Sequence, residues 1–240
     1  MFLDFTDGWD VKRIAYAASF GTDTPEYTDA EKITCGELIK KFDAVAVREN
    51  SGLKVLKNFQ CQVKNPQVVL DPTLLLKKED YNKILPNDKS PATGKIFCYL
   101  LNRSEDAAKS ISRIIQQLNK HVYEIVDIQK DGIVLPSIET WLTAIRDADF
   151  VITDSFHGTV FSILFNKSFV VYVNRTRGAC RFADLLRQFG LENHIIGDDI
   201  DLNCVFNTDW AEVNNLVAEK RSQSKLFIYN SLSKLSCPIN

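Results

Sequence analysis

Residues 149–173 read DFVITDSFHGTVFSILFNKSFVVYV. Phe150 to Thr153 is a short apolar run bounded by polar residues, which predicts a buried strand. A polar turn follows, and then Val160, Phe161, Ile163, Leu164 and Phe165 predict an apolar helix; Phe169 to Val173 predicts a second buried strand. In an open α/β sheet, a turn from a strand's C-terminal end into a helix is where ligands bind, because the helix start presents N–H groups and its positive dipole end. Thr153, Asp154, Ser155 and Gly158 surround His157 in this turn, a set suited to holding a phosphate or carboxylate. Gly158 would let a ligand approach the backbone. His157 beside glycine also fits a plain helix cap or a core histidine. A helix N-terminus keeps an imidazole neutral and a bound dianion draws a proton to it, so His157 would become an acid only with substrate present.

The same alternation extends in both directions. Downstream of a linker-like stretch at 88–94, DKSPATG, strands are expected at Lys95–Leu101 and Val122–Ile128. Helices are expected from Ser104 to Asn119, with Ala107, Ile111, Ile114, Ile115 and Leu118 inward, and from Ser137 to Asp147. A further helix is expected over Phe182–Phe189. Upstream, strands are expected at Arg13–Ser19, Phe42–Val47 and Gln67–Leu70. Thr28 or Asp29 should cap a helix that buries Ile33, Leu38, Ile39 and Phe42, and Asn50 or Ser51 should cap the next one. Asp71-Pro72-Thr73 reads as a strand-stopping turn, and Asp209 should open one long helix to Ser236. The pattern predicts α/β with parallel sheets, divided into 1–90, 91–208 and a final helix at 209–240 that packs back across both.

Composition removes several classes of function. The 240 residues are 45% hydrophobic, enough for a real core, and the formal net charge of −2 gives no basic field for nucleic acid. Six cysteines without CxxC or Cys/His spacing argue against structural zinc and for reduced cytosolic thiols, so no metal is expected. No apolar run reaches membrane-spanning length and the N-terminus has no signal-peptide pattern, so the expectation is a cytoplasmic protein, if at a membrane then peripheral to its inner face. Walker A, GxGxxG, GxSxG and HExxH motifs are absent. Arg48 follows a strand directly, and Arg175, Arg177 and Arg181 crowd the stretch after the last one. Singly these are ordinary surface arginines; as a set at strand ends they favour an anionic substrate.

Five blocks in order, IAYAASFG (Ile14–Gly21), FDAVAVRENSG (Phe42–Gly52), VVLDPTLLL (Val68–Leu76), ADFVITDSFHGTVFSILFNKSFVVY (Ala148–Tyr172) and RGACRFADLL (Arg177–Leu186), resemble the polysaccharide pyruvyl transferase family. The resemblance implies two Rossmann-like domains in a glycosyltransferase-B-like arrangement, with the acceptor on the 1–90 side and the donor on the 91–208 side. It implies transfer of a pyruvyl group from phosphoenolpyruvate to hydroxyls of a saccharide or lipid-linked saccharide in cell-envelope or exopolysaccharide synthesis, without cofactor. It matches Arg48 and His157 to the family's donor-binding and catalytic positions; Asp154 fits equally a helix cap, a base or an orienter of His157. Family members usually carry further N-terminal elements before Phe2, so the first domain is expected to be incomplete. Its apolar edge would then favour self-association. A nucleotide-sugar glycosyltransferase of similar architecture and a non-catalytic interaction domain are the alternatives.

Overall fold

A computed structural model describes residues 2–22, 24, 26–59, 63–126, 136–173, 178–197 and 200–233. A first parallel sheet contains β1 (Ile14–Ala18), β2 (Ala44–Val47) and β3 (Gln67–Val68) in that order, linked by α1 (Asp29–Ile39) and α2 (Asn50–Lys57). The short helix α3 (Lys78–Asn82) precedes β4 (Ile96–Leu100), α4 (Glu105–Leu118), β5 (Val122–Val126), α5 (Ile138–Asp147), β6 (Phe150–Thr153), α6 (Phe156–Leu164) and β7 (Phe169–Val171). These last four strands form a second parallel sheet, ordered β5-β4-β6-β7. The helices α7 (Ala179–Arg187), α8 (Leu202–Phe206) and α9 (Trp210–Ser233) complete the described chain. The expected α/β architecture of Rossmann-like parallel sheets is therefore the one the chain forms. Among the described residues, no helix is long and apolar enough to cross a membrane.

Side-chain alternation explains why each sheet is covered on both faces. In β2, Val45 and Val47 join Ile39, Val55, Leu56 and Phe59 in one cluster, whereas Ala46 turns to the other face and meets Ala17, Val69 and Phe227 of α9. In the second sheet Ile96, Cys98 and Leu100 of β4, with Phe150 and Ile152 of β6, pack on Ala107, Ile111 and Ile114 of α4. The partly buried Ile115 and Leu118 flank that cluster, so all five expected inner positions of α4 are used. The opposite face receives α5 and α6, as Tyr99 against Trp141 shows.

Caps set most helix starts. Thr28 and Glu31 form a reciprocal capping box on α1, and Ser104, Ser137 and Ser155 accept backbone N–H groups at the starts of α4, α5 and α6. Asp209 accepts from Ala211 and Glu212 at 3.0 and 3.1 Å to open α9. Two local expectations change. Ile33 is 56% exposed rather than inward, whereas Ile39 is buried as expected, together with Gly36. Neither Asn50 nor Ser51 caps α2: Glu49 holds the cap position without a side-chain bond, and the Ser51 N–H donates to the Asp184 carboxylate of α7 at 2.9 Å.

Two compact units emerge, one of 1–75, 176–189 and 214–240, the other of 76–175 and 190–213. They are drawn differently from the ranges 1–90, 91–208 and 209–240. Residues 76–90 go with the second sheet because Arg146 donates to the Pro86 carbonyl at 3.0 Å, Ser90 N–H donates to Asp147 at 2.9 Å and Tyr81 packs edge-on to Phe161. Helix α7 goes with the first through the bond from Ser51 to Asp184. The division falls within α9, whose Ser224 hydroxyl accepts the Leu70 N–H at 2.9 Å.

His194 is fully buried in the second unit, its ring against Phe169 and its nitrogens 2.8 Å from the Phe169 carbonyl and 3.0 Å from the Thr208 hydroxyl. Burial pulls its pKa down to about 4 from the usual 6.5. Between those values the unfolded chain takes up a proton that the folded chain refuses, so stability falls as pH drops through that window and levels off below it. The expected loss is roughly 3 kcal/mol. Urea unfolding of the wild type and of His194→Gln across pH 4 to 7 measures it; parallel slopes for the two proteins would refute the assignment.

Candidate functional site

In the second sheet the chain leaves β4 toward β5 on one side and returns to β6 on the other. The C-terminal ends of β4 and β6 are thus the topological switch point, where the connecting loops diverge and leave a crevice. The TDSFHG turn lies there. Thr153 is fully buried; its hydroxyl donates to the Tyr99 carbonyl at 2.8 Å and accepts the Ser155 N–H at 3.0 Å. Asp154 spreads its carboxylate over the loop after β4, accepting from Leu101 N–H at 2.6 Å and Asn102 N–H at 2.8 Å. Ser155 Oγ accepts the Gly158 N–H at 3.2 Å and so caps α6. His157 stands exposed on the first turn of α6, edge-on to Phe156 at 5.6 Å.

Gly158 is needed for a reason other than ligand approach. A Cβ built there would lie 2.6 Å from Thr153 Oγ1 and 3.2 Å from Thr153 Cβ, so the glycine lets α6 rest directly on the end of β6. Thr153, Asp154 and Gly158 therefore form the scaffold of the turn, and Ser155 and His157 are the members that line a cavity of about 550 Å³. Tyr99, Leu101, Ile138, Trp141 and Phe161 supply much of its wall. A base at Asp154 would have to release two backbone N–H groups, which sets it in an orienting role. Cys98, in β4 behind this site, is buried and its thiol is pushed up to about 12, so it offers no thiolate nucleophile at neutral pH.

Arg48 belongs to a separate cluster at the C-terminal edge of the first sheet. Its Nη1 donates to Asp71 at 2.9 Å and its Nε lies 3.4 Å from Glu49. Both carboxylates are almost wholly buried. Thr73 donates its N–H and hydroxyl to the other Asp71 oxygen, at 3.0 and 2.7 Å, and the Ser19 hydroxyl donates to Glu49 at 2.6 Å. One guanidinium between two carboxylates gives a formal charge of −1, so Arg48 contributes a fixed orientation more than a positive field. Asp71, read from sequence as a strand stop, is its main partner; its position at the end of a strand on the ligand-bearing edge was the available signal. Arg181 is in the first turn of α7, with its guanidinium over Gly178 and its Nε buried without a hydrogen-bond partner among the described residues. Arg175 and Arg177 lie outside the described residues.

Sequence reasoning assigned Trp141 only to the body of a helix and missed the aromatic wall that it shares with Tyr99 and Phe161. The three residues come from different elements, and no local spacing links them.

A sequence model of the polysaccharide pyruvyl transferase family matches residues 1–176. No curated protein sequence matches the chain. One solved structure, a crystal structure analysis of the glycotransferase of kitacinnamycin, aligns over 82% of this chain at 13% identity and a TM-score of 0.37. The chain covers 54% of that protein, and a likeness of this degree decides nothing about function.

Two substitutions test the local physics. Gly158→Ala forces Thr153, a β-branched side chain fixed by its bond to Tyr99, out of place and is expected to cost about 1–3 kcal/mol in urea unfolding; an unchanged midpoint would mean that the turn gives way freely. Arg48→Ala strands two buried carboxylates without their countercharge and is expected to lose about 3–5 kcal/mol. A loss below about 1 kcal/mol, within the range of an exposed pair, would show that the cluster is not buried as described.

Proposed function

Because the chain belongs to the polysaccharide pyruvyl transferase family, we propose that it transfers a pyruvyl group from phosphoenolpyruvate to two hydroxyls of a saccharide, forming a cyclic ketal and releasing phosphate. The observation that supports this most is the exposed imidazole of His157 on the first turn of α6, at a sheet switch point, in a chain of this family.

The reaction needs an acid early and charge stabilisation throughout. Protonation of the donor's methylene carbon makes it a methyl group and leaves positive charge at the adjacent carbon. One acceptor hydroxyl attacks that carbon and gives up its proton. Phosphate departs, and the second hydroxyl closes the ketal and gives up its own. Two protons leave the hydroxyls; one replaces the proton delivered to carbon and the other leaves with phosphate. In this reading His157 delivers the first proton and is reprotonated by the acceptor. Ser155 caps the same turn and Asp154 fixes the loop opposite. Arg175 is assigned to the donor's carboxylate and phosphate. The acceptor is a saccharide or lipid-linked saccharide of envelope or exopolysaccharide synthesis, and the reaction has its place in the cytoplasm.

The test is phosphate release from phosphoenolpyruvate with a panel of mono- and disaccharides. Release that depends on the saccharide is expected, and His157→Gln should lower kcat by about 10²–10⁴-fold, the usual contribution of a general acid. A wild-type rate no higher with any saccharide than without one would overturn the reading. Thermal stabilisation by nucleoside diphosphate sugars but not by phosphoenolpyruvate would move the chain to glycosyl transfer.

A further inference from the structure

The cavity beside His157 has walls that do not suit the anionic donor. Tyr99 and Trp141 meet with ring centroids 5.6 Å apart at 70°, and Trp141 and Phe161 at 5.5 Å and 89°. The rings form a corner, not a slot between parallel faces. Ile138, on the first turn of α5 and 73% exposed, adds an aliphatic wall at the rim. Among the described residues that line the cavity, none carries a permanent charge. From these described residues a carboxylate or a phosphate would gain no countercharge for the water it loses.

The polar side chains that line the cavity are the hydroxyls of Tyr99, Ser137 and Ser155 and the imidazole of His157, each able to donate and to accept. The fitting ligand is neutral, has an apolar face for the aromatic corner and carries hydroxyl or ether oxygens at its edge. A hydrocarbon chain would take water from those groups and return no hydrogen bond. A flat nucleobase gains most between parallel faces, which the corner lacks. A pyranose ring has C–H groups on its faces and oxygens around its rim.

We infer that this cavity is a saccharide subsite that holds one pyranose ring against Trp141 and Tyr99, with its oxygens toward the lining hydroxyls. That the ring is the acceptor's rests on the pyruvyl-transfer reading; that the cavity binds a sugar does not. The subsite sets the acceptor in the same unit as His157, rather than in the first unit where the family resemblance had it.

The test is direct binding without phosphoenolpyruvate, so that it succeeds or fails apart from turnover. The protein has three tryptophans, Trp9, Trp141 and Trp210, hence three indole N–H signals in a ¹H–¹⁵N spectrum. Trp9→Phe and Trp210→Phe identify the Trp141 signal by elimination, without disturbing the cavity. Methyl glycosides of glucose, galactose, mannose and N-acetylglucosamine are titrated in turn, then uridine and phosphoenolpyruvate. At least one glycoside should move the Trp141 signal saturably, and Ile138→Glu, a change at an exposed rim position, should raise its Kd about tenfold or more. The inference is overturned if no glycoside moves that signal, if uridine or phosphoenolpyruvate does so in their place, or if Ile138→Glu binds as the wild type does.

Discussion

The carboxylate of Asp154 holds two backbone N–H groups of the loop after β4, and the rest of the candidate site depends on that bridge. A switch point creates a crevice because adjacent strands send their connections in opposite directions, so nothing in the sheet itself keeps the two loops in register. Asp154 supplies the missing tie, and Thr153 supplements it through the Tyr99 carbonyl. With β4 and β6 fixed in this way, Tyr99 and Leu101 are presented on one side of the cavity and Ser155 and His157 on another. Charge-assisted bonds to backbone N–H are short and strong, which suits a tie between two otherwise independent loops.

Both sheets use one device to turn from strand to helix. In each, a glycine five positions after the last strand residue lets the helix settle on that residue: Gly52 over Val47, where a Cβ would come 3.0 Å from Val47 Cβ, and Gly158 over Thr153. Between those fixed points the chemistry differs. The first turn places Arg48 and Glu49 in a buried ionic cluster, with the helix start satisfied by Asp184 from α7. The second leaves His157 exposed and lets its own Ser155 satisfy the helix start. One turn is closed by its own protein; the other is open toward a cavity.

Much of the fold was legible because it depends on local pattern. Strand runs such as FVIT at Phe150–Thr153, the inner face of α4 and the caps Thr28, Ser104, Ser137 and Asp209 all follow from neighbours in sequence. Failures came where a distant partner decides. The Ser51 N–H goes to Asp184, 133 positions away, so a good local capping sequence stayed unused. Ile33 has helical spacing but no partner element on its side of α1. In the candidate site, the strand-to-helix turn and its histidine were legible. The pairing of Arg48 with Asp71 and the aromatic corner were not, because each joins side chains from separate elements, and the reason for Gly158 was not, because it depends on how closely α6 settles on Thr153. Compact units assembled from separate stretches of chain likewise leave no mark in a linear reading.

The bridge from Asp154 also has a consequence for how such a site can change over generations. Its acceptor atoms bind main-chain N–H groups, which every residue but proline provides, so the tie places almost no demand on which side chains stand at positions 101 and 102. Leu101 is held in place by its backbone while its side chain faces the cavity. Replacements there alter what the cavity accepts without loosening the frame that positions His157. The shape of the cavity and the integrity of its frame are thus uncoupled at that position, and related chains could diverge in what the cavity admits through single steps that each leave a folded protein.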